Sequence, residues 1–396
     1  MRRRPTGLFR YMNKGITTIL LVLVIAPIPA FGQQSPKPPE PESQADRRAP
    51  RPAPAPRPPR PEAAAAPAQQ LEGSRIEVGH VSLKLARGGK VSVTNTSGPI
   101  TIVGSDRDTI DATASEGSER VGIRVYQSPN RPVVVLSISS VDGRRFSGEA
   151  RFDLKIPRYA DVEIVDGRDG DIEVSDVDGS VAIGNRSGAV SVTRVGSLEI
   201  RTQQGEINAR EIKGSFSART SHGEITVQTV GGPVEVATTH GEVTVLNAAG
   251  DVRVNSSSSE INIRCAKGRV EAQTAGGSIA LTGIGGDVDA STASGEIAFK
   301  GPIRPDGRYR LKSLSGEVSM AIQDSPPGFT ATLVTYNGEI ETVFRLKIAT
   351  PMSGGPINRR ITGVYGDGQA QLGLDSFNGA VRIVKLTPEA AKQQCK

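Results

Sequence analysis

Residues 202–245 read TQQGEINAREIKGSFSARTSHGEITVQTVGGPVEVATTHGEVTV, and the spacing of their glycines decides the fold. Gly205, Gly214, Gly223, Gly232 and Gly241 fall nine residues apart. Two and four residues after each glycine comes an apolar or small side chain, as in Ile207 and Ala209, Ile225 and Val227, or Val243 and Val245. Such alternation turns one face of a strand inward and the other to water. A glycine just before each strand predicts a positive φ and a tight turn in every unit.

The rhythm extends outward from this stretch, from Gly170 to Gly295, with Ser259 at the one missing place and a single step of eight between Gly188 and Gly196. The units are of two kinds. One carries Thr or Ser three residues before its glycine and usually Glu after it: Thr202 to Glu206, Thr220 to Glu224, Thr238 to Glu242, Ser256 to Glu260, Thr292 to Glu296. The other carries an apolar or small residue two before the glycine, as at Val177, Ile212, Val230, Ala248, Ala266 and Ile284. A period of eighteen built from two unlike nines predicts an all-β, right-handed β-solenoid with two strands per coil of about 18 residues, because each unit then stacks on its own kind. A three-sided coil of about 27 residues would stack unlike units and ranks second.

Composition agrees with thin coils filled by Val, Ile and Ala: among 396 residues there are 45 glycines, nine Phe, six Tyr and no Trp. The formal charge of +6 is not a nucleic-acid signature. Five of those charges come from Arg2, Arg3, Arg4, Arg10 and Lys14, and no acid precedes Glu40. These basic residues lead into an apolar run, Gly15 to Ala26, and a small-residue exit at Ala30 to Gly32, which reads as an export signal over residues 1–32. With Pro27 and Pro29 near the exit, the alternative is an uncleaved N-terminal membrane anchor. No Cys follows the run, which excludes a lipoprotein anchor; the two cysteines, Cys265 and Cys395, read as unpaired thiols or a tail contact rather than a disulfide framework.

Residues 33–74 are rich in proline, cannot bury a core, and form a disordered linker; as polyproline II they would extend by about 3.1 Å per residue. The solenoid domain follows over residues 75–386: a β cap over 75–165, regular coils over 166–300, and irregular coils with a hairpin near Val343–Ile348 and Ile361–Tyr365 over 301–386. Ser376 to Ile383 restores one last unit of the first kind, and residues 387–396 are a tail.

The stretch FDLKIPRYADVEIVDGRDGDIEVSDVDGSVAIGNRSGAVSV (residues 152–192), the TSHGEITV units, and the closing GRYRLKSLSGEVSM (307–320) and DSFNGAVRIV (375–384) resemble the bacterial putative-adhesin family of β-strand-repeat domains of unknown function. The resemblance implies an exported, envelope-associated β-solenoid. It carries over no catalytic residue.

Chemistry has little material. Coils of eighteen residues leave no side loops for a cleft, and no GxSxG, HExxH or GxxxxGK motif occurs. The repeat lacks the aspartates of calcium-binding nonapeptides. The reading is therefore not an enzyme, with no catalytic residues and no cofactor. The candidate metal ligands are His222 and Glu224, one coil from His240 and Glu242, whose alternative is a row of exposed polar turn residues. Glu206, Glu224, Glu242, Glu260 and Glu296 should line one edge. One face, with Asn208, Thr226, Thr244, Asn262, Ala280 and Ala298, reads as small and nearly uncharged; the other carries Ser217, Glu235, Arg253, Glu271 and Asp289. Two residues before the glycine, polar Gln203, Ser221 and Thr239 give way to Leu314, Tyr336 and Phe377, an apolar stripe read as covered by the hairpin after Val343, or else exposed as a contact surface.

The expectation for function is a non-catalytic exported envelope or surface scaffold of adhesin-like type, in the periplasm, on the outer surface or secreted. Its partner would be an envelope or extracellular protein or a polysaccharide; nucleic acid is not expected, and membrane only through an uncleaved N-terminus. The alternatives are a periplasmic structural or envelope-stress scaffold and, remotely, a polysaccharide-acting β-helix enzyme.

Overall fold

The computed structural model describes residues 74–94, 97–115, 121–141, 148–350, 359–387 and 395. The signal segment, the linker up to residue 73, and tail residues 388–394 and 396 lie outside the described residues. Among the described residues the chain is all-β, with thirty strands and no helix, joined into one open sheet.

The glycine period sets the pairing. Ile207 pairs with Ile225, Ile225 with Val243, Val243 with Ile261, Ile261 with Ile279 and Ile279 with Ile297, all in parallel. A second column interleaves with it in sequence: Leu198, Phe216, Val234, Val252, Val270 and Val288 are successive parallel partners. Like residues thus meet like residues, and all of these side chains are buried. The strands Ile172–Ser187 and Val190–Arg201 run through a corner and belong to both columns. The eight-residue step is absorbed there: Val177 pairs with Val195, but Ser180 pairs with Ser197.

The positive φ predicted for every glycine occurs at alternate ones only. Gly223 and Gly241 have φ of 134° and 118°, and they belong to the Thr-x-x-Gly units. At the opposite corner most left-handed residues are not glycines: Asp176, Arg194, Glu211, Thr229, Asn247 and Cys265 take φ between 55° and 63°, followed by Gly283 at 66°. The glycines of that corner serve close approach instead: a Cβ on Gly250 would lie 2.5 Å from the carbonyl carbon of Gly232 one coil away.

Before the regular coils the pairing is mixed. Arg75–Val78 and His80–Lys84 are antiparallel to Val121–Gln127 and Thr109–Ser115. Lys90–Thr94 and Ile100–Ser105 are parallel to Asp161–Asp169 and Ile172–Ser187.

At the other end, sequence order and spatial order part. Ala370–Asn378 lies between Arg308–Ser315 and Phe329–Thr335, parallel to both. Val381–Lys385 lies likewise between Val318–Ile322 and Ile340–Thr342. The unit expected last is therefore inserted one place inward. Phe329–Thr335 is then followed by antiparallel Arg359–Tyr365, which pairs with Lys347–Thr350 to make the expected hairpin. What this hairpin covers is Phe329, whose ring packs with Phe344 and Tyr365 at centroid distances of 5.7 and 5.2 Å.

Cys265 and Cys395 form a disulfide, with Cα atoms 5.6 Å apart, which overturns their reading as unpaired thiols. Cys265 stands at a left-handed corner, where its backbone N–H donates to the Thr282 carbonyl of the next coil at 2.9 Å.

Candidate functional site

The edge of the Thr-x-x-Gly corner is built from within. Thr202, Thr220 and Thr238 turn their side chains inward and are buried. Their hydroxyls donate to the carbonyls of Gln204, His222 and His240 at 3.0, 3.2 and 3.2 Å. Further along, Ser313 and Ser376 donate to Gly295 and Gly316 of the neighbouring coil at 2.9 and 2.8 Å. A buried hydroxyl needs such an acceptor, and the acceptor in turn fixes the turn. The residues between each hydroxyl and its glycine are pushed outward, so every coil presents the same positions in register.

The candidate metal residues come together in part. The imidazoles of His222 and His240 stack with centroids 5.0 Å apart and planes 4° from parallel. Glu224 and Glu242 are exposed and accept from the hydroxyls of Thr226 and Thr244 on their own strands, both at 3.2 Å. Among the described residues no group of three or more His, Cys, Asp or Glu side chains is arranged to hold a metal. Glu206, Glu224, Glu242, Glu260 and Glu296 are exposed along one edge, with Ser278 between the last two.

At the far end of this edge stand Leu314, Phe377 and Tyr336, in that spatial order, because Ser313 pairs with Ser376 and Ser376 with Thr335. They are 53%, 44% and 40% exposed, so among the described residues the hairpin does not give them the expected cover. The rings of Tyr336 and Phe377 stack at 4.7 Å, 2° from parallel. Beside them the Asn337 amide donates to the Asn378 side-chain oxygen at 3.0 Å, continuing the stack into the next position.

The two faces differ less than the sequence suggested. The first outward row of one face is small, as expected, but its second row contains Arg210, Arg264 and Lys300, all exposed. The other face is laced by ion pairs between adjacent coils: Arg219 with Glu235 at 3.2 Å, Arg253 with Glu271 at 3.1 Å, Arg310 with Asp289 at 3.4 Å. At the left-handed corner the Arg194 guanidinium grips Asp176 at 2.8 and 3.0 Å. That hydrogen bond holds the Asp176 carboxyl below the usual carboxylate range, against the opposing effect of desolvation. Arg382, between Glu317 and Glu341, is raised by its hydrogen bonds to both, Glu317 first. These shifts keep charges on, which is the work of structural pairs rather than of groups that exchange protons near neutrality.

One feature escaped the sequence reading. At the start of the same edge lies a depression of about 480 Å³ with Arg168, Arg186 and Arg201 around it. Its sequence signal is the out-of-period Gly184, which leaves one outward position bare.

The chain is similar to a putative cell adhesion protein from Clostridium sporogenes, at 11% identity over 79% of this chain and 98% of the other, with a TM-score of 0.16. It is similar to a putative adhesin from Bacteroides fragilis, also at 11% identity, over 78% of this chain and 97% of the other, with a TM-score of 0.22. A putative adhesin from Parabacteroides distasonis matches 64% of this chain and 95% of its own length at 11% identity, with a TM-score of 0.21. No curated protein matches. Residues 213–384 match the family Toastrack DUF4097, and this match spans regular coils, inserted strand and hairpin alike. Over residues 213–384 the chain is thus similar to the Toastrack DUF4097 family.

Proposed function

We propose that this protein is an exported, non-catalytic scaffold of the cell envelope or surface, adhesin-like in that it binds a partner through one edge of a rigid β array. In this reading the array is a right-handed solenoid with two strands per coil, capped by residues 75–165, regular over 166–300 and irregular over 301–386. The two interleaved parallel columns support the coil, and the general preference of parallel crossovers supports the hand. Export rests on the basic, apolar and small-residue order of residues 1–32, with the proline-rich 33–74 as spacer. The Cys265–Cys395 bond suits an oxidising compartment.

The observation that carries the binding role is the exposed run Leu314, Phe377 and Tyr336. Three large apolar side chains in register on a stacked edge form a surface that water leaves readily and that needs no ordering on contact. The same observation favours a protein partner, and with it the second reading of a periplasmic protein-interaction scaffold, over a polysaccharide. Sugars dock on open ring faces, whereas one face of Phe377 is taken up by Tyr336.

The test is binding of the purified mature chain to isolated envelopes, untreated, protease-treated or glycosidase-treated. Binding lost only after protease supports the protein partner, and binding lost only after glycosidase supports the polysaccharide. No binding to any preparation, or release of product from a polysaccharide panel, contradicts the reading.

A further inference from the structure

On the charged face, Arg219, Arg253 and Arg310 each meet a carboxylate on a neighbouring coil. Arg168 and Arg186, on the Thr-x-x-Gly edge, do not. Both are exposed, and neither side chain forms an ion pair or hydrogen bond with a described residue. They stand two residues before Gly170 and Gly188 on adjacent coils, since Ser187 pairs with Asp169. Coils stack about 4.8 Å apart, so two unpartnered guanidiniums are held side by side. Arg201 joins them from the next coil, in register with Gly184, and its own pairing is with Glu199 on the same strand.

The backbone makes room for a ligand between them. In the row that runs Gly184, Arg201, Arg219, Ala237, the glycine leaves the first place without a side chain. Gly167 stands instead at an inward position, where its lack of a side chain makes room for the buried Asn185. The depression of about 480 Å³ that results is lined by the three arginines and by amides, and by no carboxylate. Such a volume suits a small organic ligand rather than a bare ion.

We propose that this depression binds a phosphate monoester, with Arg168 and Arg186 as its forks and Arg201 completing the ring. A dianionic monoester brings three terminal oxygens and nearly two charges, which match several converging guanidiniums; a carboxylate would engage only one fork. The same chemistry belongs to a phosphorylated sugar and to a monoester lipid headgroup. This inference does not depend on the apolar edge at the other end of the array.

Calorimetric titration of the whole mature chain tests it, with inorganic phosphate, glucose 6-phosphate and acetate at matched ionic strength, and with phosphatidic acid in phosphatidylcholine vesicles. Phosphate and glucose 6-phosphate should bind at least tenfold more tightly than acetate. Arg168→Gln and Arg186→Gln should each weaken that binding at least tenfold, while Arg253→Gln leaves it unchanged. Affinity should fall between about pH 7.5 and 5.5, as the monoester loses its second charge. Glucose 6-phosphate bound more tightly than vesicles identifies a soluble or glycan source, and the reverse identifies a lipid one. Equal affinity for acetate and phosphate, no binding of any phosphate probe, or Arg186→Gln binding as the parent does would overturn the proposal. The variants replace exposed side chains, and an unchanged melting temperature checks that they fold.

Discussion

Tyr336 and Phe377 stack ring on ring, with centroids 4.7 Å apart, although the paired strands Lys347–Thr350 and Arg359–Tyr365 lie between them in sequence. They meet because the strand Ala370–Asn378 enters the array inside Phe329–Thr335 rather than after it. The hairpin closes over Phe329 and leaves the edge pair in water.

The difference between covered and uncovered rings should be plain in stability. Phe329→Ala removes a fully buried ring from an aromatic cluster and should cost about 3–5 kcal/mol. Phe377→Ser, at an exposed edge, should cost under about 1 kcal/mol. Denaturant melts of both variants check this, and equal losses would place Phe377 in the core.

Thr229 is an exposed β-branched residue held at φ 60°, a conformation that asparagine tolerates far better. Thr229→Asn should therefore stabilise the protein by about 0.5–1 kcal/mol. Thermal melts would show a higher midpoint; a lower one would mean that the threonine makes a contact worth more than the backbone cost.

The pair of Asp176 and Arg194 links stability to acid. The Asp176 carboxyl titrates lower in the folded chain than in the unfolded one, so its contribution is present above the ordinary carboxylate range. It is lost as pH falls through the lower folded value. Melting temperature should fall below about pH 4, and Asp176→Asn should flatten part of that fall while lowering stability at pH 7. An identical acid limb in parent and variant would remove the pair from the account.

The disulfide ties residues separated by 130 in sequence. On chain entropy such a link contributes up to about 5 kcal/mol. In a stacked array the effect should fall on the C-terminal coils first, since each coil rests only on its neighbours. Hydrogen exchange with and without reductant should show faster exchange in residues 308–386, with Ile207–Ile212 unchanged; uniform loss of protection would mean that the array unfolds as one unit.

Much of this architecture is legible in sequence because it is local. The glycine period, the inward pairs such as Ile225 and Val227, and the buried Thr220 all follow from residues within one unit. What stays hidden is non-local. Nothing near Ser376 says that its strand inserts between two earlier ones, and this choice of neighbour put Phe377 beside both Leu314 and Tyr336. The bond between Cys265 and Cys395 depends on the path of the tail. Left-handed backbone at Asp176, Arg194 and Thr229 is imposed by stacking against intrinsic preference, so it leaves no glycine to read. The second outward row, Arg210, Arg264 and Lys300, was visible in the letters, but its weight emerged only once the rows were aligned by pairing.

The most direct test of the binding edge is the affinity of the purified chain for isolated envelopes, compared with the Phe377→Ser, Tyr336→Ser double variant. Truncating aromatic anchors at a contact centre typically costs about 2 kcal/mol or more, so binding should weaken at least tenfold while the melting temperature stays within a few degrees of the parent. Unchanged affinity in a folded double variant would contradict the account.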